Sequence, residues 1–125
     1  MAKIIIEVGK HSVIAEIFDT DTGRAILEAL PFQSQANTWG DEIYFSVPAN
    51  TILEPGARAE VQIGDLAYWP TMPAFCIFFG PTPASYRDEP RAASAVNVFG
   101  KLLNVDLSIL QSVRDGDRVA CRREL

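Results

Sequence analysis

The 125-residue chain reads as mostly β, a closed barrel of eight strands with two short helices capping its ends. Three observations predict this. Short β-branched or alternating apolar runs recur from one end of the chain to the other, the pattern of strands with at least one buried face. Glycine, proline, asparagine and aspartate punctuate those runs, as turns between antiparallel neighbours require. Helical spacing of apolar residues appears only twice, each time briefly.

Residues 3–8 form the first strand, and Gly9-Lys10 turns the chain into a second over 11–18. Asp19 to Thr22 offers a helix N-cap, and Ala25, Ile26, Ala29 and Leu30 share one face, which predicts a helix over 22–30. Pro31 ends it, because the residue before proline avoids the α region. Residues 33–37 are polar and read as a loop. In the strand that follows, Ile43, Phe45 and Val47 face one way while Glu42, Tyr44 and Ser46 face the other. Beyond the Glu54-Pro55-Gly56 turn, Ala59, Val61 and Ile63 alternate with Glu60 and Gln62 toward a central hairpin. Its Gly64-Asp65 pair suits a type II′ turn, since glycine accepts positive φ at no steric cost.

The continuous apolar run 75–79 reads as a strand buried on both faces. Residues 80–90 form a surface loop that Pro81, Pro83 and Pro90 hold extended. A strand returns over 95–102, Asp106 caps a helix over 107–113, and Asp115-Gly116 turns into a closing strand over 117–123. Nothing in composition divides the chain, so residues 1–125 are one domain.

A net charge of −5 argues against nucleic-acid binding, which rests on clustered Lys and Arg. The one basic cluster, Arg118, Arg122 and Arg123, is interspersed with acids and reads as a solvated strand edge. No run approaches the ~18 apolar residues of a membrane helix, and no signal-peptide pattern opens the chain, so a cytoplasmic location is expected without membrane partners. Cys76 and Cys121 lie in strand-like contexts and read as buried free thiols. His11 is the only histidine, read as solvent-exposed, and neither cysteine has a ligand partner nearby, so no metal is expected. No Gly-rich phosphate loop or dinucleotide fingerprint calls for a cofactor.

Long stretches resemble the cyclophilins: residues 16–19, a helix ending Ala29-Leu30, Phe78-Phe79, and Phe99-Gly100-Lys101 before the last helix and strand. The chain is more similar still to small microbial cyclophilin-like proteins of unknown function. The motifs that carry this are residues 37–45, Gly64-Asp65 with Tyr68-Trp69-Pro70, Phe78-Phe79-Gly80 with Thr82-Pro83, and residues 94–98 before Gly100-Lys101. The resemblance implies a cyclophilin-like barrel. It does not carry the isomerase machinery across. Where cyclophilins place Phe-His-Arg, this strand reads Ile43-Tyr44-Phe45-Ser46-Val47, and Val96 stands at the position of their binding-site histidine. The pocket tryptophan has no counterpart, and only Phe79 keeps a pocket-wall position by the resemblance. Arg58, Arg87 and Arg91 are read as surface arginines.

The candidate site is a polar-aromatic set: Asn37, Thr38, Trp39, Glu42, Tyr44, Tyr68, Trp69, Phe79 and Asn97. Aromatic walls with a few amides and one carboxylate suit a small molecule or a proline-containing peptide. The competing reading has Trp39 and Trp69 closing the barrel ends and Asn37 satisfying loop backbone. The expected function is a binding module with no catalytic residues; the alternative is a weak or atypical peptidyl-prolyl isomerase. Oligomeric state stays open.

Overall fold

The computed structural model describes all residues 1–125. Strands β1 (Ala2–Val8) and β2 (His11–Ile17) lead into helix α1 (Asp21–Ala29). Then come β3 (Phe32–Gln35), β4 (Asn37–Thr38), β5 (Glu42–Ser46), β6 (Arg58–Glu60), β7 (Asp65–Trp69), β8 (Ala74–Phe78) and β9 (Arg91–Leu103). Helix α2 (Leu107–Gln111) and β10 (Arg118–Arg123) complete the chain. The helices start where the caps predict. Thr20 accepts from the Gly23 N–H, and Asp106 accepts from the Ser108 N–H. α1 lies one residue earlier than the expected 22–30, with Leu30 already extended, and α2 is shorter than the spacing suggests, stopping before Ser112.

The strand order is β3-β10-β1-β2-β9-β7-β8-β5-β4, with β6 paired on β9, and every pairing is antiparallel. Ten strands therefore replace the eight expected, and hydrogen bonds do not close the sheet. Its two edge strands, β3 and β4, are consecutive pieces of one chain segment, joined through Ala36. The backbone of Ala36 bonds to the turn before β10 instead, donating to Asp117 O and accepting from the Gly116 N–H, both at 2.8 Å. Chain continuity brings the edges together where no ladder does. Both extra strands fall in or beside the stretch 33–37 read as a loop. Only Phe32 of β3 is buried, so an edge strand with a wet outer side shows little hydrophobic alternation.

The central hairpin expected around Gly64 does not form. β6 pairs with β9, and the Asp65 N–H bonds Gln62 O at 3.0 Å, which puts Gly64 (φ +92°) third in a four-residue turn. The hairpin in this region is β7–β8, with Trp69 opposite Ala74. The 80–90 loop is also folded back rather than extended. Thr82 N–H donates to Ser85 Oγ at 2.9 Å, Ser85 Oγ donates to Glu89 O at 2.5 Å, and the Tyr86 and Arg87 N–H groups both donate to the Glu89 carboxylate.

One face of the sheet surrounds a core of 23 buried residues, to which α1 contributes Ile26 and α2 contributes Leu110. Phe75 sits at its centre, stacked on Phe45 at 4.8 Å and edge-on to Phe99 at 5.0 Å. The other face carries a smaller cluster: Val61, Ala67, Ala74, Cys76, Phe78, Ala92 and Val96. The apolar run on β8 is thus buried on both faces, as its sequence predicts, and it separates core from outer face. Both cysteines are buried and free.

Candidate functional site: an aromatic cleft outside the core

The outer cluster borders a cleft of about 280 Å³ lined by Trp39, Glu42, Tyr44, Trp69, Cys76, Ala92, Ala93 and Val96. Strand alternation selects these residues. On β5, Ile43 and Phe45 point into the core, which turns Glu42 and Tyr44 outward. Tyr44 pairs with Cys76 on β8, so the two share one face. Trp69 ends β7 on that same face, its indole N–H bonded to Ser94 Oγ at 2.7 Å. β9 supplies the small side chains Ala92, Ala93 and Val96.

A two-residue turn places the fourth wall. Trp39 and Glu42 exchange backbone bonds of 2.9 and 3.2 Å around Gly40-Asp41, and residues opposite in such a pair project to the same side. Gly40 has φ +58°, and an added Cβ would lie 2.8 Å from Thr82 Cα. The Gly-Asp turn with glycine first therefore occurs here, at 40–41 and not at 64–65. The Asp41 N–H bonds Pro81 O at 2.9 Å, which locks this turn to the start of the 80–90 loop.

Glu42 is the electrostatic centre of the cleft. It is 6% exposed, and burial pushes its carboxyl up to about 7, the Cys76 thiol beside it pulling weakly the other way. The same burial, with the Glu42 charge adding to it, raises the Cys76 thiol well above its ordinary range, which disfavours the nucleophilic thiolate. No basic side chain lines the cleft. Arg91 is only partly exposed and fully engaged: it pairs with Glu60 and Glu89 at 3.0 Å each, and its guanidinium lies 4.3 Å from the centre of the Tyr86 ring.

Of the nine residues expected to form the site, Trp39, Glu42, Tyr44 and Trp69 meet in this cleft. Tyr68 does not, because the residue before Trp69 must face the core; its hydroxyl donates to Ala49 O at 2.9 Å and accepts from the Thr51 N–H. Phe79 likewise packs in the core with Phe75 and Ile77. Asn97 is buried and structural, donating to Ile52 O and Thr22 Oγ1 and accepting from the Glu54 N–H. Thr38 is tied to Asp115 by its N–H and its hydroxyl, and Asn37 donates to Tyr44 O at 3.3 Å. His11, expected to be exposed, is half-buried in a different cleft with Lys10, Arg114 and Asp117. The residues not anticipated are Cys76, Ala92, Ala93 and Val96. A pair of adjacent alanines, where neighbouring strands carry bulky groups, is the signal that could have marked the hollow.

The chain is antiparallel and mostly β, wraps one core and carries a concave cleft on the outside of the sheet. The chain belongs to the cyclophilin-like family, whose pattern matches residues 2–122. It is similar to the hypothetical protein AF2241 from Archaeoglobus fulgidus, known from a solution structure. The two are 38% identical over 98% of this chain and 95% of that one, with a TM-score of 0.82. No curated protein matches the sequence.

Proposed function

We propose that the protein is a binding module whose outer cleft takes a small molecule or one side-chain-sized part of a peptide, a proline-containing one among them. The observation that supports this is the convergence of Trp39, Tyr44 and Trp69 on one hollow with a single buried carboxyl. Largely apolar walls with a few placed polar groups are the usual make-up of ligand sites, and about 280 Å³ falls just under their usual range, which fits a small guest. A scattered set of barrel-capping aromatics would not share a cavity.

Trp39 and Trp69 are the chain's only tryptophans, so indole emission reports the cleft alone. In a screen of metabolites and proline peptides, a ligand should change that emission and raise the melting temperature together. At 100 times its Kd it should add ~2.7 kcal/mol to stability. Trp69→Ala and Tyr44→Ala should abolish both responses; a ligand that binds both variants unchanged would place the site elsewhere.

The alternative, a weak or atypical peptidyl-prolyl isomerase, rests on the family fold. Isomerisation needs a donor poised at the proline nitrogen as the amide twists. The cleft is lined by no arginine, and Arg91 is held by two carboxylates. A protease-coupled assay on a Xaa-Pro peptide should therefore run at its background rate. Acceleration that scales with protein concentration and disappears in Trp69→Ala would establish the isomerase instead.

A further inference from the structure

The cleft's chemistry narrows its ligand, on the reading that the cleft is a binding site. Its walls are three aromatic side chains and three small apolar ones, and its one acid is Glu42. No lysine, arginine or histidine lines it, and none of the ion pairs in the molecule includes Glu42. Buried charges are ordinarily paired, and this carboxyl, 6% exposed, has no counter-charge within the chain. The aromatic walls favour the same sign: ring faces attract cations, most strongly where water is excluded. Because the Trp69 N–H is already bonded to Ser94, that ring offers hydrocarbon and π surface rather than a donor. An anion would meet the carboxylate with nothing positive to offset it. A neutral guest would use the walls and could at most donate a hydrogen bond to the acid, leaving its charge unpaired.

We propose that the cleft binds an organic cation, an alkylammonium group whose hydrocarbon packs against Trp39, Tyr44 and Trp69 while its N–H donates to the Glu42 carboxylate. A cleft of about 280 Å³ has room for such a group. Because burial places Glu42 near 7, binding around neutrality displaces a proton from it. The other titratable groups at the cleft are Tyr44 beside it on β5 and Cys76 facing it from β8. Next to the lining on β9, Arg91 is already ion-paired; in the turn, Asp41 packs against Gly80.

The test compares cyclohexylammonium with cyclohexanol, its neutral counterpart, by calorimetry on the full chain at about pH 8, where the acid is charged. The ammonium should bind about tenfold tighter or more. Glu42→Gln should erase that preference, bringing the two probes to the same affinity. Independently of any variant, the preference should shrink at about pH 5, where the carboxyl holds its proton. Equal binding of both probes, lost in Trp69→Ala, would overturn the cation and leave the binding module standing. Failure of both probes while a screened ligand does bind would overturn the cation in the same way. Failure of the probes and of the whole screen would overturn both.

Discussion

Phe75→Ala is expected to cost about 3–5 kcal/mol, the range for truncating a fully buried aromatic. Phe75 is wholly buried and lies between Phe45, Phe32 and Phe99, whose rings approach it at 4.8, 6.4 and 5.0 Å. Those neighbours come from β5, β3 and β9, so the cavity left behind would be bordered by three strands that cannot collapse onto it together. A domain of this size has only about 5–15 kcal/mol in hand, so the variant should unfold at a much lower urea midpoint. Cys76→Ala, one residue along on the outer face, should lose far less, because it removes a single sulfur beside an open cleft. Equal losses for the two would mean that β8 does not divide a tight core from a looser outer cluster.

What the sequence made legible follows from how local each signal is. A cap within Asp19 to Thr22, the cap at Asp106, the stop before Pro31 and the alternation of residues 42–47 depend on near neighbours, and all are found in the structure, the first cap at Thr20. β3 and β4 were hidden because an edge strand of Gln33, Ser34 and Gln35 has no apolar period to read. Gly40-Asp41 and Gly64-Asp65 are the same dipeptide, yet only the first makes the two-residue hairpin. The difference lies in partners: Trp39 lies opposite Glu42, whereas β6 finds β9 and leaves β7 to pair with β8. The site divides along the same line. Trp39, Glu42, Tyr44 and Trp69 were recognisable as polar-aromatic residues, but Tyr68, Phe79 and Asn97 share that chemistry and face elsewhere. Orientation is a matter of strand phase. Ala92, Ala93 and Val96, which make the hollow, bear no reactive or polar group, so only their small size between bulky strands could mark it.

Glu42→Gln is expected to make the protein more stable at about pH 8 by about 3 kcal/mol, and to remove a pH dependence the native chain shows. The sign follows from where the proton sits. In the unfolded chain the carboxyl titrates at its ordinary 4.5; in the folded protein burial raises it to about 7. Between those values the folded state holds a proton that the unfolded state has released, so stability falls as pH rises through this window. Below it both states are protonated and nothing is lost; above it the folded protein carries a buried carboxylate that only the Cys76 thiol assists. Glutamine has the same shape and no charge to desolvate, so the variant's profile should be flat across the window where the native profile declines. The Cys76 thiol, which burial raises well above its ordinary range, does not ionise between pH 5 and 8, and every other group is common to both proteins, so the difference between the two profiles belongs to Glu42. Urea denaturation at about pH 5 and pH 8 on both proteins measures it. Parallel profiles would mean that water or a local opening reaches the carboxyl, and Glu42 would then be an ordinary surface acid rather than the desolvated centre of the cleft. A declining native profile beside a flat variant would show that the fold tolerates, at neutral pH, an acid that weakens it, which is the expected cost of keeping a charge ready for something outside the chain.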